Sequence, residues 1–140
     1  MNILLPIDGS THSLQAVRHA VLLCAQGLKA HFVLANVQER ASFYEVMTLP
    51  DPAALEEINQ AAGHDALQAA EQILQDAHLT FDSEVVTGSP GNTLVEMVER
   101  LNCQAVIMST HSMGSIRNAL WGSVAHTVVQ NCPVPVTLVP

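Results

Sequence analysis

Small polar residues and glycines near the end of the chain have types and spacing that could bind an anion. Residues 105–108 form a short, uncharged run that predicts a buried strand. Ser109 and Ser112 follow this run, and the pair Gly122-Ser123 then begins a helical pattern. In a strand–loop–helix arrangement, backbone N–H groups of the loop and of the first helical turn can bind phosphate. An ordinary strand-to-helix connection has the same spacing, so the sequence leaves both interpretations open.

The distribution of charge favours the anion site. The chain has a formal net charge of −8, yet every Asp and Glu lies at or before Glu99. After Leu101 the only formally charged residue is Arg117. A loop between residues 109 and 123 would normally be exposed and could carry carboxylates, so their absence is consistent with a phosphate ligand. A buried strand and helix would also exclude charge, which is the alternative explanation.

The sequence lacks the common motifs of phosphoryl-transfer enzymes, serine hydrolases and zinc peptidases. It has no GxxxxGK[ST] loop, no GxSxG nucleophile elbow and no HExxH motif. His12 and His19 could share a helix face, but no third metal ligand is near them in the sequence, so we expect each to be exposed or half-buried. Arg117 and His111 are the only candidates in the loop for phosphoryl transfer. We therefore predict no catalytic residue and no metal site.

Composition predicts one compact domain spanning residues 1–140. Hydrophobic residues make up 49% of the sequence and charged residues 13%. Its 3 cysteines have no CxxC spacing, which favours free thiols, buried at Cys24 and Cys103, and a cytoplasmic location. No apolar run is long enough to cross a membrane. The 5 Lys and Arg residues are scattered, so we expect no nucleic-acid partner.

Apolar periodicity predicts alternating strands and helices. Strands are expected at residues 2–7, 31–37, 81–87, 104–108 and 134–139, and helices at 12–26, 51–78, 92–101 and 122–131. Residues 38–50 have no clear period and are interpreted as a mobile connection that folds over a site. Gly63 is expected to weaken the second helix by roughly 1 kcal/mol relative to alanine. The alternation predicts a three-layer α/β/α sandwich around a five-stranded, mainly parallel sheet.

Several stretches of the sequence resemble the universal stress protein family, and the likeness covers essentially the whole chain. They are Ile3-Leu4-Leu5-Pro6-Ile7-Asp8-Gly9-Ser10, Met108-Ser109-Thr110-His111-Ser112, Leu120-Trp121-Gly122-Ser123-Val124 and Cys132-Pro133-Val134-Pro135-Val136. The resemblance implies a Rossmann-like fold of the adenine nucleotide alpha hydrolase type. It also implies a stress-response protein that binds ATP or a related adenine nucleotide, with or without Mg²⁺, and forms a homodimer.

The nucleotide motif of that family is incomplete in this chain. The motif has two glycines separated by two residues, then nine further residues, then Gly-Ser or Gly-Thr. Gly122-Ser123 occupies the final pair, but Ser109 and Ser112 stand at the two glycine positions. Serine fits such a loop only where φ is negative, and its hydroxyl could donate to a phosphate oxygen. Because Gly122-Ser123 is kept, the resemblance favours the nucleotide-binding branch of the family.

The resemblance implies which residues would surround the adenosine. Asp8 would lie beside it, Val37 would contact the adenine through its backbone, and Met108 and Ser109 would line the ribose. All four residues are expected at or just after the carboxyl ends of strands, where open α/β sheets bind ligands. A structural alternative exists for each residue, since Asp8 could only cap a helix and Met108 could only belong to the core.

The phosphates would lie at the other end of the site. Ser112 would approach them, and the start of the last helix would hold them through backbone N–H groups. The complete set of candidate ligand-binding residues is Pro6, Asp8, Val37, Met108, Ser109, His111, Ser112, Gly122, Ser123 and Val124.

Three functions remain open at this point. The first is a regulatory protein that holds an adenine nucleotide without rapid turnover. The second is a universal stress protein with an empty site that acts through its dimer surface, and the third is a slow ATPase. We favour the first because the loop lacks the cations and the water-orienting residue of fast phosphoryl transfer.

The strand from Val134 to Val139 is expected to form the homodimer interface. Pro133 and Pro135 have the same parity and lack N–H donors. We therefore expect the odd-numbered residues to face the outer edge of the sheet and the even-numbered ones to bond the neighbouring strand. Antiparallel pairing with a second copy would cover that edge.

Overall fold

The fold is taken from a computed structural model, which describes residues 1–39, 51–111 and 122–140. Strands and helices alternate along the chain. They are β1 (Asn2–Pro6), α1 (Thr11–Ala25), β2 (His31–Gln38), α2 (Pro52–Asp76), β3 (Phe81–Thr87), α3 (Pro90–Arg100), β4 (Ala105–Ser109), α4 (Ser123–Asn131) and β5 (Val136–Val139). These strands form a 5-stranded sheet in the order β3-β2-β1-β4-β5, and every neighbouring pair is parallel.

The first strand lies at the centre of the sheet. Leu4 pairs with Val33 of β2 on one side and with Val106 of β4 on the other. The chain fills one side of β1 with β2 and β3, and then crosses to the other side to form β4 and β5. The order of strands therefore reverses beside β1, and the crevice at the carboxyl ends of β1 and β4 is where open α/β sheets bind ligands.

Two hydrophobic clusters cover the two faces of the sheet, because alternate residues of each strand point to opposite sides. Helices α1 and α2 pack on the face formed by Ile3, Leu5, Phe32, Leu34 and Ile107. Helices α3 and α4 pack on the face formed by Leu4, Val33, Ala35, Val106 and Met108. The predicted three-layer α/β/α arrangement with a parallel sheet is confirmed.

Local signals explain where helices begin and end. The side chain of Ser10 caps α1 by accepting a hydrogen bond from Ser13 N at 3.2 Å. Asp51 caps α2 in the same way through Ala53 N at 3.0 Å. Gly27 follows α1 with φ of 117°, a left-handed conformation that glycine adopts without strain.

Some predicted boundaries were wrong by one or two residues. Helix α3 begins at Pro90, not at residue 92, because Ser89 is its N-cap and proline fits the first helical turn. Strand β5 begins at Val136, not at residue 134. Gln38, expected in a connection, is the last residue of β2, and the rest of that connection, residues 40–50, lies outside the described residues.

The interpretation of Gly63 as a weak point of α2 was incomplete. Gly63 is buried where α2 packs on β3, and a Cβ atom there would overlap the Cγ1 and Cγ2 methyl groups of Val85. Val85 O also accepts a hydrogen bond from Gln60 Nε2 at 3.3 Å. Glycine is therefore needed for the close approach of this helix to the sheet.

The predicted parity of β5 was wrong. Val106 N donates to Pro135 O at 3.0 Å, and Thr110 N donates to Val139 O at 2.9 Å. Odd-numbered residues of β5 therefore face β4, and the backbone groups of Val136 and Leu138 face the outer edge. Pro135 is tolerated because it precedes the strand, where a missing donor interrupts no ladder bond.

No helix in residues 1–39, 51–111 and 122–140 is both long enough and apolar enough to cross a membrane.

Candidate functional site

A cleft opens at the carboxyl ends of β1, β2 and β4, where the strand order reverses. It has about 720 Å³ of empty space, part of it open to solvent. Helices α3 and α4 form its far wall. Its lining residues are Pro6, Ile7, Asp8, Ser13, Ala35, Val37, Glu39, Pro90, Leu94, Met108, Ser109, Thr110, His111, Val124 and Ala125.

The turn after β1 places Asp8 in the cleft. Asp8 Oδ1 accepts hydrogen bonds from the backbone N–H of Ser10, at 2.9 Å, and from the Ser10 hydroxyl. Ser10 in turn caps α1, so the carboxylate is tied to the beginning of that helix. Gly9 lies between the two residues with φ of 86°, which lets the chain turn sharply.

Strand β2 extends beyond the end of β1 and exposes its backbone to the cleft. Ile7 N donates to Ala35 O at 2.8 Å, so the odd-numbered residues of β2 direct their backbone groups toward β1. Val37 is the next residue of this parity and lies past Pro6, the last residue of β1. Its N–H and C=O groups therefore face the cleft, at a position where an adenine could bond to them.

Hydrogen bonds around Thr110 join three elements at the other side of the cleft. Thr110 N donates to Val139 O of β5 at 2.9 Å, and Thr110 O accepts from Gly122 N at 2.7 Å. The Thr110 hydroxyl is hydrogen-bonded to His111 Nδ1 at 2.9 Å. These bonds hold the end of β4 against the beginning of α4 and fix the orientation of the His111 ring.

The N-terminus of α4 borders the cleft. Gly122 is the N-cap residue, and no side chain of the described residues caps the helix there. Ser123 is exposed, and Val124, the next residue, lines the cleft. The first-turn N–H groups have no acceptor within their own helix, so they form a potential anion-binding site.

Serine can replace glycine in the motif only where φ is negative, and Ser109 meets this condition. Among the described residues, positive φ outside glycine is found only at His78 and Asn102, so Ser109 does not have the left-handed conformation. Its hydroxyl donates to His111 O at 2.6 Å. The hydroxyl thus stabilises the loop, and a bond to phosphate would require it to leave the His111 carbonyl.

The cleft contains carboxylates, which the distribution of charge along the sequence did not indicate. No acid follows Glu99, but Asp8 and Glu39 enter the cleft from the ends of β1 and β2. In the part of the chain that the structure describes, no group of three His, Cys, Asp or Glu side chains is arranged to hold a metal ion.

Most of the predicted ligand-binding residues lie together in this cleft. Its lining includes Pro6, Asp8, Val37, Met108, Ser109, His111 and Val124. Gly122 and Ser123 immediately precede Val124 at the start of α4. Ser112 lies outside the described residues.

Sequence reasoning missed several lining residues and one contact between rings. Ser13, Glu39, Pro90 and Leu94 line the cleft but do not belong to a recognisable motif. His12 is exposed and His19 is half-buried, as predicted, but the ring of His12 also packs edge-on against that of His111, with centroids 6.0 Å apart. Only the tertiary structure brings α1 and the end of β4 together, so no local pattern could have indicated this pair.

The whole sequence matches one known family. A sequence model of the universal stress protein family matches residues 1–140. The chain belongs to the universal stress protein family. Universal stress protein MJ0531 of Methanocaldococcus jannaschii is 27% identical to it over 137 residues, which cover 98% of this chain and 80% of that protein.

Solved structures of universal stress proteins have the same fold. UspA of Lactobacillus plantarum aligns with a TM-score of 0.84 at 22% identity, covering 100% of this chain and 97% of the other. A universal stress protein in complex with cAMP aligns with a TM-score of 0.74 at 22% identity and with the same coverage, 100% and 97%. A member from Arabidopsis thaliana with AMP bound aligns with a TM-score of 0.69 at 16% identity, covering 99% and 90%.

Proposed function

We propose that this universal stress protein is a stress-response regulator that binds ATP or a related adenine nucleotide in the cleft without rapid turnover. The observation that carries the proposal is the cleft itself, which brings together a strand backbone at Val37, a carboxylate at Asp8 and the beginning of α4, which no side chain of the described residues caps. The cAMP and AMP complexes of proteins with this fold support an adenine nucleotide as the ligand.

The adenosine fits the side of the cleft formed by β1 and β2. The backbone of Val37 offers one donor and one acceptor, which suit the ring nitrogen and the amino group of adenine. The Asp8 carboxylate, which accepts from Ser10 through Oδ1, lines the cleft and could also accept a hydrogen bond from a ribose hydroxyl. Met108 and Leu94 supply apolar surface against which the base and the sugar can pack.

The phosphates fit the opposite side, beside α4. The first-turn N–H groups and the positive end of the helix dipole favour an anion at Ser123 and Val124. The two carboxylates of the cleft, Asp8 and Glu39, follow β1 and β2 and would face the adenosine instead. Mg²⁺, where present, would arrive bound to the phosphates and be held by their oxygens.

The described part of the cleft lacks the groups that accelerate phosphoryl transfer. Its lining residues include no Lys or Arg. Fast enzymes of this class position cations and a water-orienting residue around the transferred phosphate and turn over at about 1–100 s⁻¹. Sustained phosphate release in that range would favour the ATPase over a regulator that holds its ligand.

A homodimer formed through β5 is part of this proposal. The two edges of the sheet differ in charge, since β3 carries Asp82 and Glu84 whereas β5 carries no charged residue. Charged side chains discourage pairing at an edge, so β5 is the edge suited to a second copy. The backbone groups of Val136 and Leu138 face outward and can form the new ladder.

The direct test is the content of the purified protein. Protein purified from cells and then denatured should release an adenine nucleotide in an amount comparable to that of the protein. Chromatography and mass spectrometry of the released material would identify the nucleotide. Empty protein that also fails to bind added ATP would favour a member that acts only through its dimer surface.

A further inference from the structure

We propose that His12 and His111 form a proton-dependent contact for the nucleotide phosphates, which makes binding stronger at low pH and favours ligands with more phosphate charge. This inference rests on the proposed nucleotide-binding function and adds a specificity element to it. His12 lies in the first turn of α1, immediately before the lining residue Ser13, and His111 itself lines the cleft.

The geometry suits a shared anion. The two ring centroids are 6.0 Å apart and the ring planes are inclined by 66°. His12 is exposed and precedes the lining residue Ser13, so its ring can turn toward a ligand without breaking a buried contact. The bond between Thr110 Oγ1 and His111 Nδ1, 2.9 Å long, can exist in either protonation state, because the hydroxyl can donate to a neutral ring or accept from a charged one.

Phosphate and protons are coupled through this pair. Histidine ordinarily changes charge between about pH 5 and 8. Two protonated rings at this distance repel each other, and an anion beside the pair that contacts both rings offsets that repulsion. Phosphate binding therefore favours proton uptake, and proton uptake must favour phosphate binding by the same factor.

Other titratable groups face the pair from neighbouring elements. Asp8 follows β1 and Glu39 follows β2, and both line the same cleft. His126 is exposed on α4, one turn after its beginning, while the first turn of α1 has no acidic residue. Asp8 and Glu39 are present with or without a ligand, so they leave the pair's response to phosphate in place, whereas the contribution of His126 must be separated by mutation.

The experiment measures the affinity for ATP, AMP and adenosine by calorimetry at pH 6.0 and 8.0. Phosphate itself titrates near pH 6, so the wild-type protein is compared with H12Q at each pH. The control variant is H64Q, the same change at an exposed site of α2 remote from the cleft. We expect H12Q to weaken ATP binding at pH 6.0 by about tenfold, within the roughly 5–150-fold range typical of coupled sites.

In the supporting result, H12Q has a much smaller effect on ATP binding at pH 8.0 and on adenosine binding at either pH, and H64Q behaves as the wild type. Equal pH dependence in H12Q and the wild type would overturn the role of the pair while leaving the nucleotide proposal intact. Loss of the pH dependence in H126Q but not in H12Q would also overturn it. No ATP binding at either pH would overturn both proposals.

Discussion

The side-chain amide of Asn36 donates to the backbone carbonyl of Ile7 at 2.8 Å and so ties β2 to the residue that precedes Asp8. Asn36 is 2% exposed, and its own Oδ1 accepts from Gln38 Nε2 at 2.7 Å. Asn36 does not line the cleft, whereas its neighbours Ala35 and Val37 do. The bond therefore holds the turn that carries Asp8 against β2 from outside the cleft.

Replacement of Asn36 by alanine should lower both stability and nucleotide affinity. The buried carbonyl of Ile7 would lose its amide partner, which destabilises proteins by about 1–3 kcal/mol. Urea unfolding measures the loss of stability, and calorimetry with ATP measures the affinity. N92A, at an exposed site on α3, is the control and should change the stability by less than about 0.5 kcal/mol. An N36A protein as stable as the wild type would contradict the proposed support.

Replacement of Gly63 by alanine should destabilise the protein, although alanine is the better helix former by roughly 1 kcal/mol. The new methyl group would overlap Val85 Cγ1 and approach Asn36 Oδ1 at 3.0 Å. Overpacking of this kind destabilises by about 1–3 kcal/mol. The matched comparison is a double-mutant cycle with V85A, in which the second truncation should recover part of the loss. Additive effects in the cycle would show that a methyl group at position 63 of α2 does not overlap Val85 of β3.

The comparison of Gly63 with the predicted helix shows how much of the fold the sequence could provide. Within residues 1–39, 51–111 and 122–140, apolar periodicity located each strand and helix to within a few residues, because burial of one face dictates that pattern. Gly63 is required because Val85 of β3 lies so close to it, and no local sequence pattern predicts this contact. The parity of β5 failed for a similar reason, because the prolines that were used to orient it precede the strand instead of lying within it.

The sequence predicted those residues of the candidate site that belong to recognisable motifs. Residues at strand ends such as Asp8 and Met108 were identified because the resemblance aligned them. Contributions from side chains without a motif, such as Glu39 and Leu94, arise only when the sheet order brings separate elements together. Whether serine fits the glycine position at Ser109 depends on its φ, which the sequence does not give.

The outward backbone of Leu138 offers a test of dimer formation through β5. L138P should dissociate the dimer, because proline removes an N–H group that faces the outer edge and not β4. L138A truncates the same half-buried side chain but keeps the N–H group, so it serves as the control and should remain a dimer. Sedimentation at micromolar concentration measures the assembly, and circular dichroism verifies the fold. A wild-type protein that sediments as a monomer would contradict the interface.

The Cys103 thiol should make stability depend on pH in the alkaline range. Burial raises the pKa of Cys103, and the neighbouring Cys132 and Glu84 raise it further. A pKa raised by folding means that the unfolded chain loses this proton first, so the free energy of unfolding falls as the pH rises above the usual thiol value, by at most about 1.4 kcal/mol per pH unit.

Urea unfolding of reduced protein between pH 8 and 10 measures this dependence. The decrease should be smaller in C103A, whose side chain does not titrate. C24A, which removes a half-buried thiol whose pKa burial also raises, should change the slope less. Identical slopes in C103A and the wild type would contradict the role of Cys103.

The measurement that tests nucleotide binding most directly is a calorimetric titration of nucleotide-free protein with ATP. We predict saturable binding with a Kd in the micromolar range, equivalent to roughly −8 kcal/mol at about 1 μM. The N-cap Gly122 has φ of −70°, so valine can adopt its backbone, but a branched side chain would stand where the phosphates approach. G122V should therefore abolish binding while circular dichroism verifies that it is folded, whereas S112G should bind as well as the wild type or better. No heat from the wild-type protein up to millimolar ATP, together with no nucleotide in the purified protein, would contradict the account.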